Sequence, residues 1–311
     1  MGVQLLFTVG LIAYAGGLEA ALNLLQTDFA ANIAAAVLIQ CAMLAALLLW
    51  TRSRKLNPLS AVRAAPLKPL GIGYAVLMGL TALFGFMFVS FAADYLFSLI
   101  GYDAGMPEAL SFDTAGKMIV GLLAAALLPA VVEECVFRGV LLRGLERAGK
   151  RRAVLLSAAA FALMHMNPAQ TVHQFLLGIA LAVAAVETGS LLAPMIMHFL
   201  NNALVVVWEY AGVDPSFGAN SSQIFWLACV TFLAGTGIMI GITALYRKWN
   251  KAQLKGTGIG CRSSVSEESQ PNKPCFKALL FEERNTVTFG LAASVAVVAV
   301  WIFVFVSGLF G

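Results

Sequence analysis

The sequence predicts an all-α, polytopic transmembrane helix bundle of about nine spans (eight possible), and three observations carry that reading. Of 311 residues, 60% are hydrophobic and only 12% charged, against roughly 45–50% apolar and 25% charged in soluble domains. The charges are segregated: residues 30–50 and 71–93 contain no Lys, Arg, Asp or Glu, as expected of helices crossing a hydrocarbon core about 30 Å thick. Lys and Arg gather in the connections between apolar segments, where they set topology. The net charge of +4 therefore reflects orientation in the membrane and implies no nucleic-acid partner.

Windows of about 19 residues place the spans at residues 3–26, 30–51, 71–100, 117–142, 153–166, 172–187, 190–212, 223–246 and 286–309. The first lacks a basic start and is followed at once by the second, so it reads as a retained helix and not a cleaved signal. The fifth and sixth are the shortest.

Arg52, Arg54, Lys55, Arg63 and Lys68 separate the second and third spans; Arg143, Arg147, Lys150, Arg151 and Arg152 separate the fourth and fifth. Arg247, Lys248, Lys251, Lys255, Arg262, Lys273, Lys277 and Arg284 precede the last. Nine spans put all three groups on one side. The other side carries Asp28, Asp103, Glu108, Asp113 and Asp214, with Lys117 at its border. The positive-inside rule then predicts a multi-pass protein of the cell membrane with a cytosolic amino terminus and an external carboxyl terminus.

Residues 247–285 form a polar stretch with the composition of a flexible cytosolic loop. Cys41, Cys135 and Cys229 lie in apolar segments, while Cys261 and Cys275 share that loop. No disulfide framework is expected in the cytosol. No internal repeat is visible.

Ionisable groups inside apolar spans mark function by default. The fourth span holds Glu133, Glu134 and Arg138 within two turns. Glu134 and Arg138 stand four apart, the spacing and order of a helical ion pair. Glu133 points about 100° away and is left outside that pair. The fifth span ends on His165, and the seventh carries His198 and Asn202 on one face. At a rise of 1.5 Å per residue, these groups lie about 12–18 Å below the cytosolic border, in one layer near the midplane. Packing alone is the competing explanation for the histidines, because polar side chains also join helices in lipid. His173 starts the sixth span as an interfacial residue.

Glu133, Glu134 and Arg138, then Phe161 and His165, then His198 and Asn202 match the EExxxR, FxxxH and HxxxN motifs. The chain thereby resembles the CPBP family of membrane proteases, which includes type II CAAX prenyl endopeptidases and enzymes of bacteriocin processing. His165, Asn167, Pro168 and Gln170, then Glu187, Gly189, Ser190 and Pro194, also look like bacterial members. The resemblance divides the chain into N-terminal helices and basic loop (1–114), a catalytic core (115–205), a further helix (206–246), the loop (247–285) and a last helix (286–311).

It implies an intramembrane endopeptidase acting on a membrane-embedded or lipidated, CAAX-like peptide or protein. Glu133 and His165 would activate water, and His198 and Asn202 would hold the oxyanion, with Glu134 and Arg138 as a supporting pair. No metal is obligatory in this reading. The alternative is a zinc site of Glu133, His165 and His198, which would leave Glu134, already committed to Arg138, as the only nearby base. A non-enzymatic alternative is a membrane immunity or scaffold protein, or a transporter, using the same polar cluster. Transporter sites favour broken helices and paired repeats, and the sequence shows neither.

Overall fold

The structure, a computed structural model, describes residues 27–62, 65–101, 111–146, 149–165, 167–213 and 218–256, with isolated positions between 14 and 24. Regular structure among them is helical throughout, as lipid requires of an apolar chain that must satisfy its own backbone. Helix α1 (Phe29–Ser53) begins where the Asp28 carboxylate accepts the Ala31 N–H at 2.7 Å. After the short α2 (Pro58–Ala61), α3 (Pro69–Ser98) starts on a proline, whose missing N–H costs nothing in a first turn.

Helix α4 (Ala115–Leu145) is capped by Thr114. Gly149, with φ of 104°, turns the chain into α5 (Lys150–Met164). Asn167 caps α6 (Pro168–Thr188) through the N–H groups of Ala169 and Gln170. Gly189, left-handed at φ 67°, ends it and leads into α7 (Leu192–Tyr210), and α8 spans Ser221–Gly256.

Six helices among the described residues, α1, α3, α4, α6, α7 and α8, are long and apolar enough to cross a membrane. Seven spans were expected over this region, and α5 accounts for the difference. It has 15 residues and opens on Lys150, Arg151 and Arg152, so it is about 22 Å long at 1.5 Å per residue and falls short of the hydrocarbon thickness. Of the loop expected over 247–285, residues 247–256 instead continue α8 as helix; residues 257–285 and the expected spans 3–26 and 286–309 lie outside the described residues, apart from those isolated positions.

The bundle is apolar on the outside and encloses a few buried polar side chains, Glu133, Glu134, Arg138 and His198 among them, within an apolar core. Leu49, Phe84, Trp226, Leu233 and Ile240 are exposed large side chains, which a water-soluble surface would not tolerate in such number. Tyr74, Met78, Phe86, Phe137, Phe161, Leu177, Leu181 and Met197 form a core drawn from α3 to α7, closed by Met239 and Tyr246 of α8. Small residues let backbones approach where α3 crosses α8: a Cβ on Gly235 would stand 2.7 Å from the Gly85 Cα. Helix α1 packs against α4 and buries only Gln40, Leu47 and Thr51.

The basic connections meet at one end. Arg143 donates to the Ala61 carbonyl at 3.3 Å, and the Ser190 hydroxyl donates to that of Ala65 at 2.6 Å. Lys150 and Arg151 of α5 line a cleft with Glu187 of α6 and Arg247 of α8, and Arg247 donates through Nε to Glu187 at 2.7 Å. The start of α5 therefore lies beside the end of α6, so the two run antiparallel with His165 and Asn167 at their turn.

Candidate active site

The site grows out of an irregularity in α4. Two π-helical stretches, Leu122–Leu127 and Cys135–Leu142, flank an α-helical segment, Leu128–Glu134, that carries both glutamates. π turns are rare and concentrate at functional sites. Pro129 supplies a cause for the first, because it has no N–H to return to the Ala125 carbonyl. A buried carbonyl must find another donor, and Asn202 provides it: its Nδ2 donates to Ala125 O at 3.3 Å. Asn202 Oδ1 in turn accepts from Asn201 Nδ2 at 3.1 Å. The second π stretch contains Arg138 and exposes the Phe137 carbonyl to the Ser157 hydroxyl at 3.0 Å.

Glu134 is fully buried, and one oxygen, Oε1, accepts from Arg138 Nη1 at 2.8 Å and from His198 Nδ1 at 2.9 Å. The spacing in sequence foresees the first contact and not the second. Arg138 also donates to the Gly178 carbonyl at 3.1 Å and lies over the Phe161 ring, 4.4 Å from its centroid. Its charge is thus neutralised by a carboxylate, a carbonyl and a π face, as a guanidinium this deep requires.

Phe161 organises the histidines. Its ring, fully buried, meets the His165 ring edge-on at 4.8 Å between centroids and the His198 ring at 5.7 Å. His165 Nδ1 lies 2.8 Å from the Phe161 carbonyl. A carbonyl only accepts, so Nδ1 carries the hydrogen and the Nε2 of a neutral ring is an acceptor. Glu133, His198 and Arg138 are the charged and polar groups acting electrostatically on His165. The same logic applies to His198, whose Nδ1–H points at Glu134; in the doubly protonated ring, Nε2–H is then left to donate.

Glu133, 5% exposed, faces away from the Glu134 pair and accepts from Gln40 Nε2 of α1 at 2.7 Å. Its other oxygen, Oε2, is buried without a protein partner. Gln40 carries no charge and so does not stand out among the ionisable groups of the sequence. A glutamine in mid-span is itself the signal, because an amide is costly in hydrocarbon.

The structure thus gathers Glu134, Arg138, His165 and His198 around Phe161, sets Glu133 beside them, and ties Asn202 to α4 through Ala125. His173 stands on α6, with His165 as an electrostatic neighbour. Among the described residues, no three His, Cys, Asp or Glu side chains come together as a group that could hold a metal ion.

Residues 115–204, from the start of α4 into α7, match the family model described as type II CAAX prenyl endopeptidase Rce1-like. Comparison with curated proteins and with solved structures gives no match. This family implies a CAAX-type protease in the membrane, and the chain is a multi-pass membrane protein whose stretch 115–204, which carries most of the polar cluster, is similar to the Rce1-like type II CAAX prenyl endopeptidases.

Proposed function

We propose that the protein is an intramembrane endopeptidase that hydrolyses a peptide bond of a membrane-associated or CAAX-like substrate. The observation that carries this reading is Glu133 itself: a buried carboxylate excluded from the Glu134–Arg138–His198 pairing, with one oxygen held and the other unpartnered. In this reading Glu133 Oε2 takes a proton from the attacking water, beside which the His165 ring stands. The water oxygen attacks the scissile carbonyl. His198 Nε2–H and the second Nδ2–H of Asn202 meet the oxyanion, where one donor is worth about 2.7–4 kcal/mol. Glu133 then passes its proton to the leaving amine.

The reading needs no metal. Making Glu133 a ligand would leave Glu134 as the base, and its Oε1 already serves Arg138 and His198. The positive-inside rule places the end that carries Arg143, Lys150, Arg151 and Arg247 in the cytosol, with the amino terminus there and the carboxyl terminus outside. The family match gives no support to the scaffold or transporter alternative.

The test uses purified protein in liposomes with a farnesylated CAAX-type peptide and an unlipidated transmembrane peptide as probes. Cleavage of either by the wild type is expected to fall at least about a thousandfold in Glu133→Ala, as loss of a base and a water anchor together implies, and to survive a strong zinc chelator. Cleavage that persists in Glu133→Ala would overturn the role of Glu133. Activity lost to the chelator and restored by stoichiometric zinc would overturn the metal-free reading.

A further inference from the structure

We infer that Gln40 is a positioning residue of the hydrolytic site, supplied by a helix outside the family-matched stretch: its amide N–H orients Glu133 and its carbonyl accepts from the attacking water. The inference rests on the reading of Glu133 as the base.

Gln40 stands near the middle of α1 and is 5% exposed, on a helix that otherwise buries only Leu47 and Thr51. Thr51 satisfies its own hydroxyl on the Leu48 carbonyl, whereas Gln40 makes a buried polar contact between α1 and α4. Its partner is Glu133 Oε1 at 2.7 Å, 93 residues away in the chain. A carboxylate offers only lone pairs, which fixes the amide with nitrogen toward Glu133 and Oε1 away from it.

A glutamine serving only to join two helices would have both ends of its amide used. Here Gln40 Oε1 is buried without a protein partner, and so is Glu133 Oε2. Each of these two acceptors lacks a donor, and a single water has two hydrogens to give. One O–H is directed to Glu133 Oε2 and the other to Gln40 Oε1, which leaves a lone pair of the water oxygen for the scissile carbonyl. On attack, the first hydrogen moves to Glu133 as the new carbon–oxygen bond forms. The second stays on the hydroxyl, still held by Gln40. Collapse of the tetrahedral intermediate breaks the carbon–nitrogen bond, and the proton on Glu133 leaves with the amine.

Three purified variants, with the farnesylated CAAX-type peptide in liposomes as probe, test this. Gln40→Met, similar in length but without donor or acceptor, is expected to lower kcat at least about tenfold with KM within about twofold in protein that still unfolds cooperatively. Gln40→Glu keeps the arrangement only while one proton is shared with Glu133. It is therefore expected to work at low pH and lose kcat as pH rises over a range where the wild type is steady; Glu134, Arg138, His165 and His198, the other ionisable groups of the cluster, are common to all the proteins. Undiminished kcat in Gln40→Met, or a Gln40→Glu profile parallel to the wild type, overturns the inference. If Glu133→Ala cleaves like the wild type, the reading of the site itself fails instead. A measurement without substrate gives a second decision: the infrared difference between wild type and Glu133→Gln isolates the Glu133 carboxylate band. That band is expected to shift in Gln40→Met, and an unmoved band overturns the role of Gln40 whether or not the probe is cut.

Discussion

Glu134 bonds two helices' worth of partners through a single oxygen, and that concentration decides how the site responds to substitution. Removing Arg138 alone leaves a carboxylate of zero exposure with only His198 beside it. Breaking one side of a buried pair costs about 3–5 kcal/mol, whereas replacing both partners by apolar groups is often neutral. Arg138→Leu is therefore expected to lower the thermal unfolding temperature of the solubilised protein strongly, and Glu134→Leu/Arg138→Leu to recover much of the loss. A double variant less stable than either single one would show that the pair itself holds the bundle together.

At this scale the sequence reveals what it states by identity and local spacing. Glu133, Glu134 and Arg138 share one helix, and His198 and Asn202 share one face. The bond from His198 to Glu134, 64 residues apart, and that from Gln40 to Glu133 depend on how helices pack, and no periodicity encodes them.

Helices α3 and α8 meet without side chains between them at Gly85 and Gly235. In Gly235→Ala the new methyl would fall on the Gly85 backbone, and overpacking of this kind costs about 1–3 kcal/mol. Gly237, two residues on, has nothing within 4 Å of an added Cβ, so Gly237→Ala is expected to be neutral or to stabilise by up to about 1 kcal/mol through helix propensity. Thermal unfolding of the two variants checks the crossing: equal effects would contradict it.

Element boundaries were readable where polarity changes sharply, as at Asp28 and at Asn167–Pro168. Two features were not. Helix α5 looks like a span because its apolar residues adjoin those of α6, and only the turn at His165 separates them. The π stretches of α4 obey no pattern of polarity. Pro129 is the one residue that marks the first, and it does so by a hydrogen bond it cannot make.

For the molecule as a whole, orientation follows from the end at which the cations collect. Ala61, Arg143, Lys150 and Arg247 converge there, so the segment leaving α8 departs from the same end as the two earlier basic connections. Cys261 and Cys275 follow in that segment and are expected on the cytosolic side. A membrane-impermeant thiol reagent should spare them in intact cells and label them after lysis; labelling in intact cells would invert the topology.

A bundle that Glu133 makes a protease must leave its mark on the membrane peptidome. Cells producing wild-type protein are compared with cells producing equal amounts of folded Glu133→Ala. One or a few membrane-associated proteins are expected to accumulate uncut in the variant, with their cleavage fragments found only beside the wild type. Identical peptidomes in the two would show that Glu133 does not make this bundle a protease.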